Sequence, residues 1–340
     1  MEGKVLVTGS NGQLGQCLKD IVIKNNVEDK YIFSTRKEFD ITDKKMMENY
    51  LSEHQDIKII INCAAYTNVK EAETEEGHDL AWLINTEAVK NLANLCNKNN
   101  IFLIHFGTDY MYSIKDAVGN IPIDEDTIQW GYRDGWFSKY YSEGKNRYGY
   151  TKCMGVHEIF KEFKYEDEDI LPKFVIIVIS WLYSEYGKNF VKTVRERVKL
   201  DSETEVVYTQ IGSPTYAMDL AKYIIDVIEN DNCQFIVNNY NYYIKHIKGL
   251  SDWHIVNFCN LGVASWYDIA KNVERNFSES TNKIVPTVEP FDKILRPSYS
   301  VLNTQKIRKR LKKEGKEYIR HWGKALDECC DKIKEKESEN

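Results

Sequence analysis

Hydrophobic positions in the first half of the chain alternate between short unbroken apolar runs and longer stretches with helical spacing. Five runs rich in β-branched and aromatic residues predict strands: 4–8, 31–34, 57–62, 101–106 and 174–179. Three stretches between them have apolar residues on one helical face: 13–24, 43–51 and 78–98. The almost wholly apolar run Phe174–Ile179 is typical of a central parallel strand covered on both faces. The alternation predicts an α/β fold with a doubly wound, Rossmann-type parallel sheet over residues 1–180.

The pattern becomes irregular beyond Trp181, with shorter elements and more turns. We expect residues 181–330 to form mainly a smaller α/β substrate-binding lobe over the carboxyl edge of the sheet, with an interleaved boundary. The length of 340 residues fits two such units at roughly 100–200 residues each. Residues 331–340 form a charged tail that we expect to be the frayed end of a helix. Two further stretches, 128–147 and 232–252, predict inserted surface loops.

The composition fits an ordinary folded protein and narrows its partners. Hydrophobic residues make up 42% and charged residues 29%, which argues against collagen-like, coiled-coil and disordered chains. The net charge of -6 gives no general attraction to nucleic acid. The basic stretch 306–320 predicts instead an amphipathic surface helix, with Ile307, Leu311 and Ile319 on its buried side.

No compartment other than the cytoplasm is indicated. No apolar stretch reaches the roughly 18 residues of a membrane helix, and no signal-peptide pattern precedes the first strand, so we expect no membrane partner. Eight cysteines and seven histidines are scattered without metal-ligand spacing. We therefore expect a reducing compartment and no metal site.

A glycine-rich turn joins the first predicted strand to the first helix. Gly9, Gly12 and Gly15 allow a tight turn and close approach of the backbone to a pyrophosphate, which the helix N-terminus then attracts. Asn11, Gln13 and Leu14 belong to the same turn, and we expect them to contact the cofactor as well. The position of the turn predicts a dinucleotide cofactor.

The end of the second strand bears on the choice of cofactor. Proteins that prefer NAD usually carry an acidic residue there, but this chain has Ser34-Thr35-Arg36-Lys37. With two cations to attract a 2′-phosphate, NADPH is predicted, and NADH stays possible. A solvated basic loop is the alternative interpretation. Asp40 and Ile41 are expected to border the adenine.

Tyr148 and Lys152 stand four residues apart at the start of a predicted helix, so their side chains share one face. A lysine ammonium lowers the pKa of a neighbouring phenol, which can then pass a proton to a carbonyl oxygen. Thr108 directly follows the fourth strand, at the sheet edge where such folds bind ligands. These three residues predict a carbonyl-reducing site.

The sequence resembles the dTDP-4-dehydrorhamnose reductase family. Members of this family are nucleotide-sugar 4-keto-reductases of the extended short-chain dehydrogenase/reductase superfamily. The resemblance is ordered and spans nearly the whole chain, in these segments: Gly9–Gly15, Phe39–Asp43, Asn62–Val69, Ala72-Glu73, Ile84-Asn85, Gly107–Tyr110, Tyr148 with Lys152, Ser180–Tyr183, Asn189–Val191, Gln210–Tyr216, Gly262–Tyr267 and Arg296–Ser300. One departure is Val178-Ile179, where the family usually has Arg-Thr. The stretches 128–147 and 232–252 also depart from the family, because both are longer than expected, and we expect the first at the rim of the site.

The resemblance assigns roles residue by residue. It implies Thr108, Tyr148 and Lys152 as the catalytic set. It implies a cofactor wall that adds to the glycine turn these residues: Cys63, Ala64, Ala65, Tyr66 and Asn85. It implies substrate contacts from these residues: Thr108, Asp109, Tyr110, Trp181, Asn189, Gln210 and Arg296, the last or a neighbouring cation meeting the diphosphate. Trp181 fits core packing equally well, and Gln210 and Asn189 could instead satisfy loop backbone.

The resemblance also implies an activity and its rivals. We expect NADPH-dependent reduction of a nucleotide-activated 4-keto-6-deoxyhexose, with dTDP- or UDP-4-dehydro-L-rhamnose as the leading substrate, by a possible homodimer. One alternative is a non-catalytic NADP-binding regulatory subunit, similar to the β subunit of methionine adenosyltransferase. Another is a sugar epimerase or dehydratase, and a dehydratase would need an acid beside Thr108, for which Asp109 is the candidate.

Overall fold

The structure is a computed structural model, and it describes the following residues: 3–112, 121–126, 146–163, 173–200, 203–229, 255–278, 283–288, 292–313 and 315–338. The predicted loop 232–252, and all of 128–147 except its last two residues, lie outside the described residues.

Thirteen strands and ten helices are described. The strands are β1 (Lys4–Thr8), β2 (Tyr31–Phe33), β3 (Ile57–Asn62), β4 (Phe102–Thr108), β5 (Phe174–Ile179), β6 (Leu182–Tyr183), β7 (Thr204–Val207), β8 (Ile211–Gly212), β9 (Thr215–Tyr216), β10 (Ile255–Asn257), β11 (Ala264–Ser265), β12 (Ile284–Thr287) and β13 (Tyr299–Ser300). The helices are α1 (Gln13–Lys24), α2 (Lys44–Glu53), α3 (Glu75–Trp82), α4 (Ala88–Lys98), α5 (Arg147–Glu162), α6 (Phe190–Lys199), α7 (Ala217–Glu229), α8 (Trp266–Phe277), α9 (Gln305–Lys313) and α10 (Trp322–Ser338).

The main sheet has six parallel strands in the order β2-β1-β3-β4-β5-β10. The chain reverses its direction of growth across the sheet between β1 and β3, and parallel sheets of this kind bind ligands at that point, beyond the carboxyl ends of the strands. Short strands form the remaining sheets, which are β11-β8-β13, β7-β12 and β6-β9. The predicted doubly wound α/β class is confirmed.

Alternating side chains of the main strands supply two separate cores. Val5 and Val7 of β1 face one layer with α1, whose predicted apolar face, including Leu18, is buried there. Leu6 faces the opposite layer, where α4 and α5 pack, for example through Phe160. Each strand therefore presents apolar side chains to helices on both faces of the sheet, which explains why β3 and β5 lack a polar face.

Several boundaries differ from those predicted. β4 continues to Thr108 because it pairs with β5 from Leu103 through Thr108. The helical run predicted from residue 78 begins at Glu75 and contains a π turn at Leu83–Glu87. The helix predicted over 306–320 is too long, since α9 ends at Lys313 and Gly315 adopts a left-handed φ of 67°.

The second half of the chain contributes strands to every sheet. β10 completes the main sheet, while the short strands form the three smaller sheets. α10 runs through Ser338, which makes the first residues of the predicted tail an ordered helix that buries Ile333. Among the residues described, no helix is long and apolar enough to cross a membrane.

Candidate active site

The glycine turn forms a cradle of bare backbone beside β3. Gly9 has a φ of 61°, and a Cβ there would lie 2.7 Å from the Ala64 nitrogen. A Cβ on Gly15 would lie 2.6 Å from the Ser10 Cα. Gly12 caps α1 without any side-chain bond to the first N–H groups of the helix. Unpaired N–H groups and room for close backbone approach fit the pyrophosphate of a dinucleotide.

Asn85 fixes the other wall of this cradle. The Tyr66 N–H donates to Asn85 Oδ1 at 2.9 Å, and Asn85 Nδ2 donates to the Tyr66 carbonyl at 3.0 Å and to Thr151 Oγ1 at 3.2 Å. The buried Asn85 thus ties the turn containing Ala64 and Ala65 to α5. Asn85 thereby supports the predicted cofactor wall, whose first residue is Cys63.

The loop after β2 carries more negative charge than the sequence pattern suggested. Arg36 Nε donates to Asp40 Oδ2 at 2.8 Å, and the Arg36 side chain is 72% exposed. Asp40 also accepts from Thr42, while Glu38 accepts from the Thr35 N–H at 2.7 Å. Both carboxylates are therefore already paired within the loop, whereas Ile41 is buried. An exposed guanidinium leaves a donor that a 2′-phosphate can reach.

The three predicted catalytic residues meet where β4 ends. Thr108 closes the strand, and its side chain lies close enough to Tyr148 on α5 to lower the pKa of that phenol. Lys152, one turn further along α5, donates from Nζ to the Phe106 carbonyl at 2.7 Å. All three side chains are buried. The structure therefore brings the predicted trio together on two neighbouring elements.

Burial dominates the ionisation of this trio. It raises the pKa of Tyr148 to about 12, and the adjacent Thr108 side chain opposes that rise. Burial also lowers the pKa of Lys152 to about 8. The net shift of Tyr148 is opposite to the lowering expected from Lys152, because desolvation of the phenolate outweighs the polar contacts. Tyr148 is thus held as a neutral phenol able to donate a proton.

Asp109 and Tyr110 continue from Thr108 into the site. Asp109 is buried and accepts from Thr108 Oγ1 at 3.1 Å, and burial raises the pKa of its carboxyl to about 6. The Tyr110 ring meets that of Tyr148 edge-on, with centroids 5.5 Å apart. Arg296 lies close enough to Tyr110 for each to shift the pKa of the other, which places the predicted diphosphate contact next to the Tyr110 ring.

Arg296 is already paired with a carboxylate that the sequence analysis missed. Its guanidinium makes two bonds to Asp292, one of them from Nη2 at 2.9 Å. The i,i+4 spacing was the available signal for this pair. An incoming diphosphate would share or displace this carboxylate, so Arg296 is an oriented cation and not a free one.

Trp181 is held in a strained position against the smaller lobe. It adopts a left-handed φ of 48° and stacks on Trp266, with ring centroids 3.9 Å apart and an interplanar angle of 11°. A Cβ on Gly212 would lie 2.6 Å from Trp181 Cε2. Gln210, just before β8, is buried nearby in the chain. Left-handed tryptophan is rare, and such strain is concentrated at functional sites.

Asn189 lies against the cofactor turn. Its Nδ2 donates to Gln13 Oε1 at 3.0 Å, and its Oδ1 caps α6 by accepting from the Lys192 N–H at 3.2 Å. Both ends of this amide are thus engaged within the protein. The predicted substrate contact of Asn189 stays a prediction.

A buried polar row beneath the site was also missed. Thr8 Oγ1 donates to Asn62 Oδ1 at 2.7 Å, and Asn62 Nδ2 lies 3.1 Å from His105 Nδ1. These residues sit on three neighbouring strands in register. Burial and the nearby Lys152 lower the pKa of His105 well below its usual value, which keeps the imidazole neutral. Polar residues inside otherwise apolar runs were the available signal.

The arrangement supports carbonyl reduction next to a dinucleotide. The bare cradle at Gly9 and Gly15 fits the cofactor, which when bound supplies hydride. Tyr148 is a buried neutral phenol that can donate a proton, the Thr108 side chain lies beside it, and Lys152 Nζ is held at the Phe106 carbonyl. Within the described ranges, no cluster of three histidine, cysteine, aspartate or glutamate side chains forms a metal site.

Comparison with known proteins agrees with this geometry. The sequence model of the RmlD substrate binding domain matches residues 3–335. The chain belongs to this family. A dTDP-4-keto-6-deoxy-D-glucose reductase from Streptomyces niveus is 29% identical to this RmlD-family protein over 334 residues, which cover 97% of each chain.

Two solved structures are similar over the full chain. A dTDP-4-dehydrorhamnose reductase from Clostridium acetobutylicum matches with a TM-score of 0.73 and 28% identity, covering 97% of this chain and 99% of that one. A dTDP-4-dehydrorhamnose reductase from Bacillus anthracis in complex with NADP matches with a TM-score of 0.70 and 26% identity, at the same coverages. This RmlD-family protein is an NAD(P)-dependent oxidoreductase.

Proposed function

We propose that this protein reduces the C4 carbonyl of a nucleotide-linked 4-keto-6-deoxyhexose with NADPH. The observation that carries the proposal is the meeting of Thr108, Tyr148 and Lys152 beside the bare backbone cradle at Gly9. The named activities of its relatives, which are reductases of dTDP-linked keto sugars, support this substrate class. The leading substrate is dTDP- or UDP-4-dehydro-L-rhamnose, reduced to the L-rhamnose nucleotide in deoxysugar biosynthesis.

Each residue of the trio has a distinct part in this reaction. Tyr148 donates its phenolic proton to the oxygen that forms at C4, and its high pKa keeps it protonated before the reaction. Thr108 holds the same oxygen by turning its hydroxyl, whose single proton goes to Asp109 Oδ1 in the structure, toward the substrate. Lys152, cationic below a pKa of about 8, stabilises the phenolate that Tyr148 leaves behind.

The substrate is expected to enter between the two parts of the chain. Its sugar would lie against Tyr110 and Trp181, which flank the catalytic phenol and the smaller lobe respectively. Its diphosphate would meet Arg296, which Asp292 already orients. Residues 181–330 would thus supply most of the substrate contacts and residues 1–180 the cofactor contacts.

NADPH is proposed over NADH on the basis of the loop after β2. Arg36 is exposed and singly paired, and the nearby carboxylates of Glu38 and Asp40 are engaged by the loop itself. The relative from Bacillus anthracis was solved with NADP. Exchange of Arg36 for alanine should therefore weaken NADPH binding far more than NADH binding.

The test is NADPH oxidation with dTDP- and UDP-4-keto-6-deoxyhexoses prepared in situ, with and without a 3,5-epimerase. We expect sugar-dependent oxidation that falls by about 100-fold or more in Tyr148→Phe. Tyr150→Phe is the matched control, because it deletes a phenol oxygen two residues away, from a ring stacked on Trp82. Oxidation that persists in Tyr148→Phe would refute the assigned proton donor.

The alternatives give other outcomes in the same assay. Tight NADPH binding without oxidation of any 4-keto sugar would favour a non-catalytic regulatory subunit. Conversion of the sugar with no net consumption of cofactor would favour an epimerase or dehydratase, with Asp109 as the additional acid.

A further inference from the structure

A short strap of the smaller lobe, residues 184–189, lies across the start of α1. It follows β6 directly and so begins three residues after Trp181. Ser184 is fully buried, and Tyr186 OH donates to Asp20 on α1. Gly187 adopts a left-handed φ of 59°, where a Cβ would come within 3.3 Å of Gln13 Cγ. The strap therefore packs directly on the helix that follows the glycine turn.

Gln13 is the residue of the glycine turn that holds this strap. Its Oε1 accepts from Ser184 Oγ at 3.1 Å and from Asn189 Nδ2 at 3.0 Å. Asn189 Nδ2 also donates to the Ser184 carbonyl at 2.8 Å, which closes the strap on itself. Since the carbonyl end of the Gln13 amide is committed to the strap, its orientation is fixed, and its NH2 end is the remaining donor.

The same contacts continue to three stacked or edge-on aromatic side chains of the smaller lobe, which we call the aromatic wall: Phe190, Trp266 and Trp181. Asn189 caps α6, whose first residue Phe190 meets Trp266 edge-on with ring centroids 4.6 Å apart. Trp266 in turn stacks on Trp181 at 3.9 Å. A continuous set of contacts thus runs from the glycine turn to the strained tryptophan.

We propose that Gln13 is a positioning residue that couples the dinucleotide site to the aromatic wall through the strap. Ordering of the glycine turn around a bound pyrophosphate fixes Gln13, and the two bonds to Gln13 Oε1 then fix the strap and the cap of α6. Order at Asn189 is passed to Trp266 and Trp181 by direct packing. Cofactor binding consequently pre-organises the wall that receives the sugar.

This inference rests on the dinucleotide site of the proposed function but not on the sugar or the reaction. It is therefore tested with NADP⁺ alone, by hydrogen exchange of the full chain with and without saturating NADP⁺. In the wild type, we expect NADP⁺ to slow exchange in peptides covering both 9–24 and 184–199. A failure of sugar-dependent oxidation would leave this result unaffected.

Substitution of Gln13 separates coupling from binding. In Gln13→Leu, NADP⁺ should still slow exchange in 9–24 but no longer in 184–199. Gln13→Glu retains an acceptor for Ser184 and Asn189 while adding a negative charge beside the pyrophosphate. That variant should keep the strap protected without NADP⁺ and bind NADP⁺ about tenfold more weakly.

Two further variants provide a second test and a control. Ser184→Ala removes one of the two bonds and should give a partial loss of the NADP⁺ response in 184–199, which serves also if Gln13→Leu does not fold. Gln16→Leu is the matched control, since the Gln16 amide donates to the Asn11 carbonyl and not to the strap. A strap response that persists in Gln13→Leu, or that is absent from the wild type, would overturn the proposal.

Discussion

Asn85 and Tyr66 are joined by a reciprocal pair of hydrogen bonds, from the Tyr66 N–H to Oδ1 at 2.9 Å and from Nδ2 to the Tyr66 carbonyl at 3.0 Å. The Asn85 amide thus makes the two hydrogen bonds to the Tyr66 backbone that a neighbouring strand would otherwise make. Asn85→Ala leaves a buried N–H and a buried carbonyl unsatisfied, so the free energy of unfolding should fall by about 2–3 kcal/mol. NADPH affinity should fall with it, because the cofactor wall loosens.

Chemical denaturation and cofactor titration of Asn85→Ala check this prediction. Asn94→Ala is a suitable control, because the exposed Asn94 lies on the adjoining α4 and bonds Glu162 at 3.3 Å. Its stability should change by less than about 1 kcal/mol. Equal losses in the two variants would show that the Asn85–Tyr66 pair has no special part in shaping the wall.

Gly9 and Gly315 share a left-handed backbone but differ in their surroundings. A Cβ on Gly9 would lie 2.7 Å from the Ala64 nitrogen, whereas one on Gly315 would meet nothing within 4 Å. Gly315→Ala should therefore cost only the conformational penalty of about 1 kcal/mol. Gly9→Ala should cost more and should abolish measurable NADPH binding, because β1 and β3 must separate at the cradle.

Thermal melts and NADPH fluorescence titrations of the two glycine variants provide the measurement. Near-normal NADPH affinity in Gly9→Ala would contradict the placement of the pyrophosphate at this turn.

Glu125 makes stability depend on pH near neutrality. It is buried, it accepts from the Asn257 N–H at 3.1 Å, and its pKa is raised by burial from 4.5 to about 7. The folded protein holds this proton more tightly than the unfolded chain, so the stabilising contribution is complete below pH 4.5 and is lost as the pH rises through 7. Glu125→Gln should match the wild type at pH 4.5 and melt at a higher temperature at pH 8.

Melting temperatures of both proteins measured from pH 4.5 to pH 8 test the direction of this pH dependence. Asp124→Asn serves as the control, because it removes a half-buried carboxylate beside the same Lys306 and should flatten the wild-type slope only slightly, since the Asp124 charge is the last of the causes that shift the Glu125 pKa. A wild type that becomes more stable relative to Glu125→Gln with rising pH would show that pairing with Lys306 outweighs the cost of burying the charge.

The sequence predicted those features that depend on near neighbours in the chain. The run at 4–8, the turn at Gly9 and the apolar face of 13–24 are local signals, and all three elements form as expected. Thr108, Tyr148 and Lys152 could be placed together because each follows or begins a recognisable element. Their pKa values could not, because burial of the whole site sets them.

The features that escaped prediction join distant parts of the chain. Gln13 and Asn189 are 176 residues apart, and Glu125 and Asn257 are 132 apart. No periodicity within either segment reports the other. The early end of α9 was also missed, because the apolar spacing continues past Gly315 although the backbone there turns away.

Hydride transfer to the sugar can be followed directly with NADPH deuterated at C4 of the nicotinamide and dTDP-4-dehydro-L-rhamnose as the acceptor. The account predicts dTDP-L-rhamnose that carries deuterium at C4 of the sugar, formed by the wild type and reduced by about 100-fold or more in Tyr148→Phe. Binding of both ligands without deuterated sugar, or with equal label in Tyr148→Phe, would contradict it.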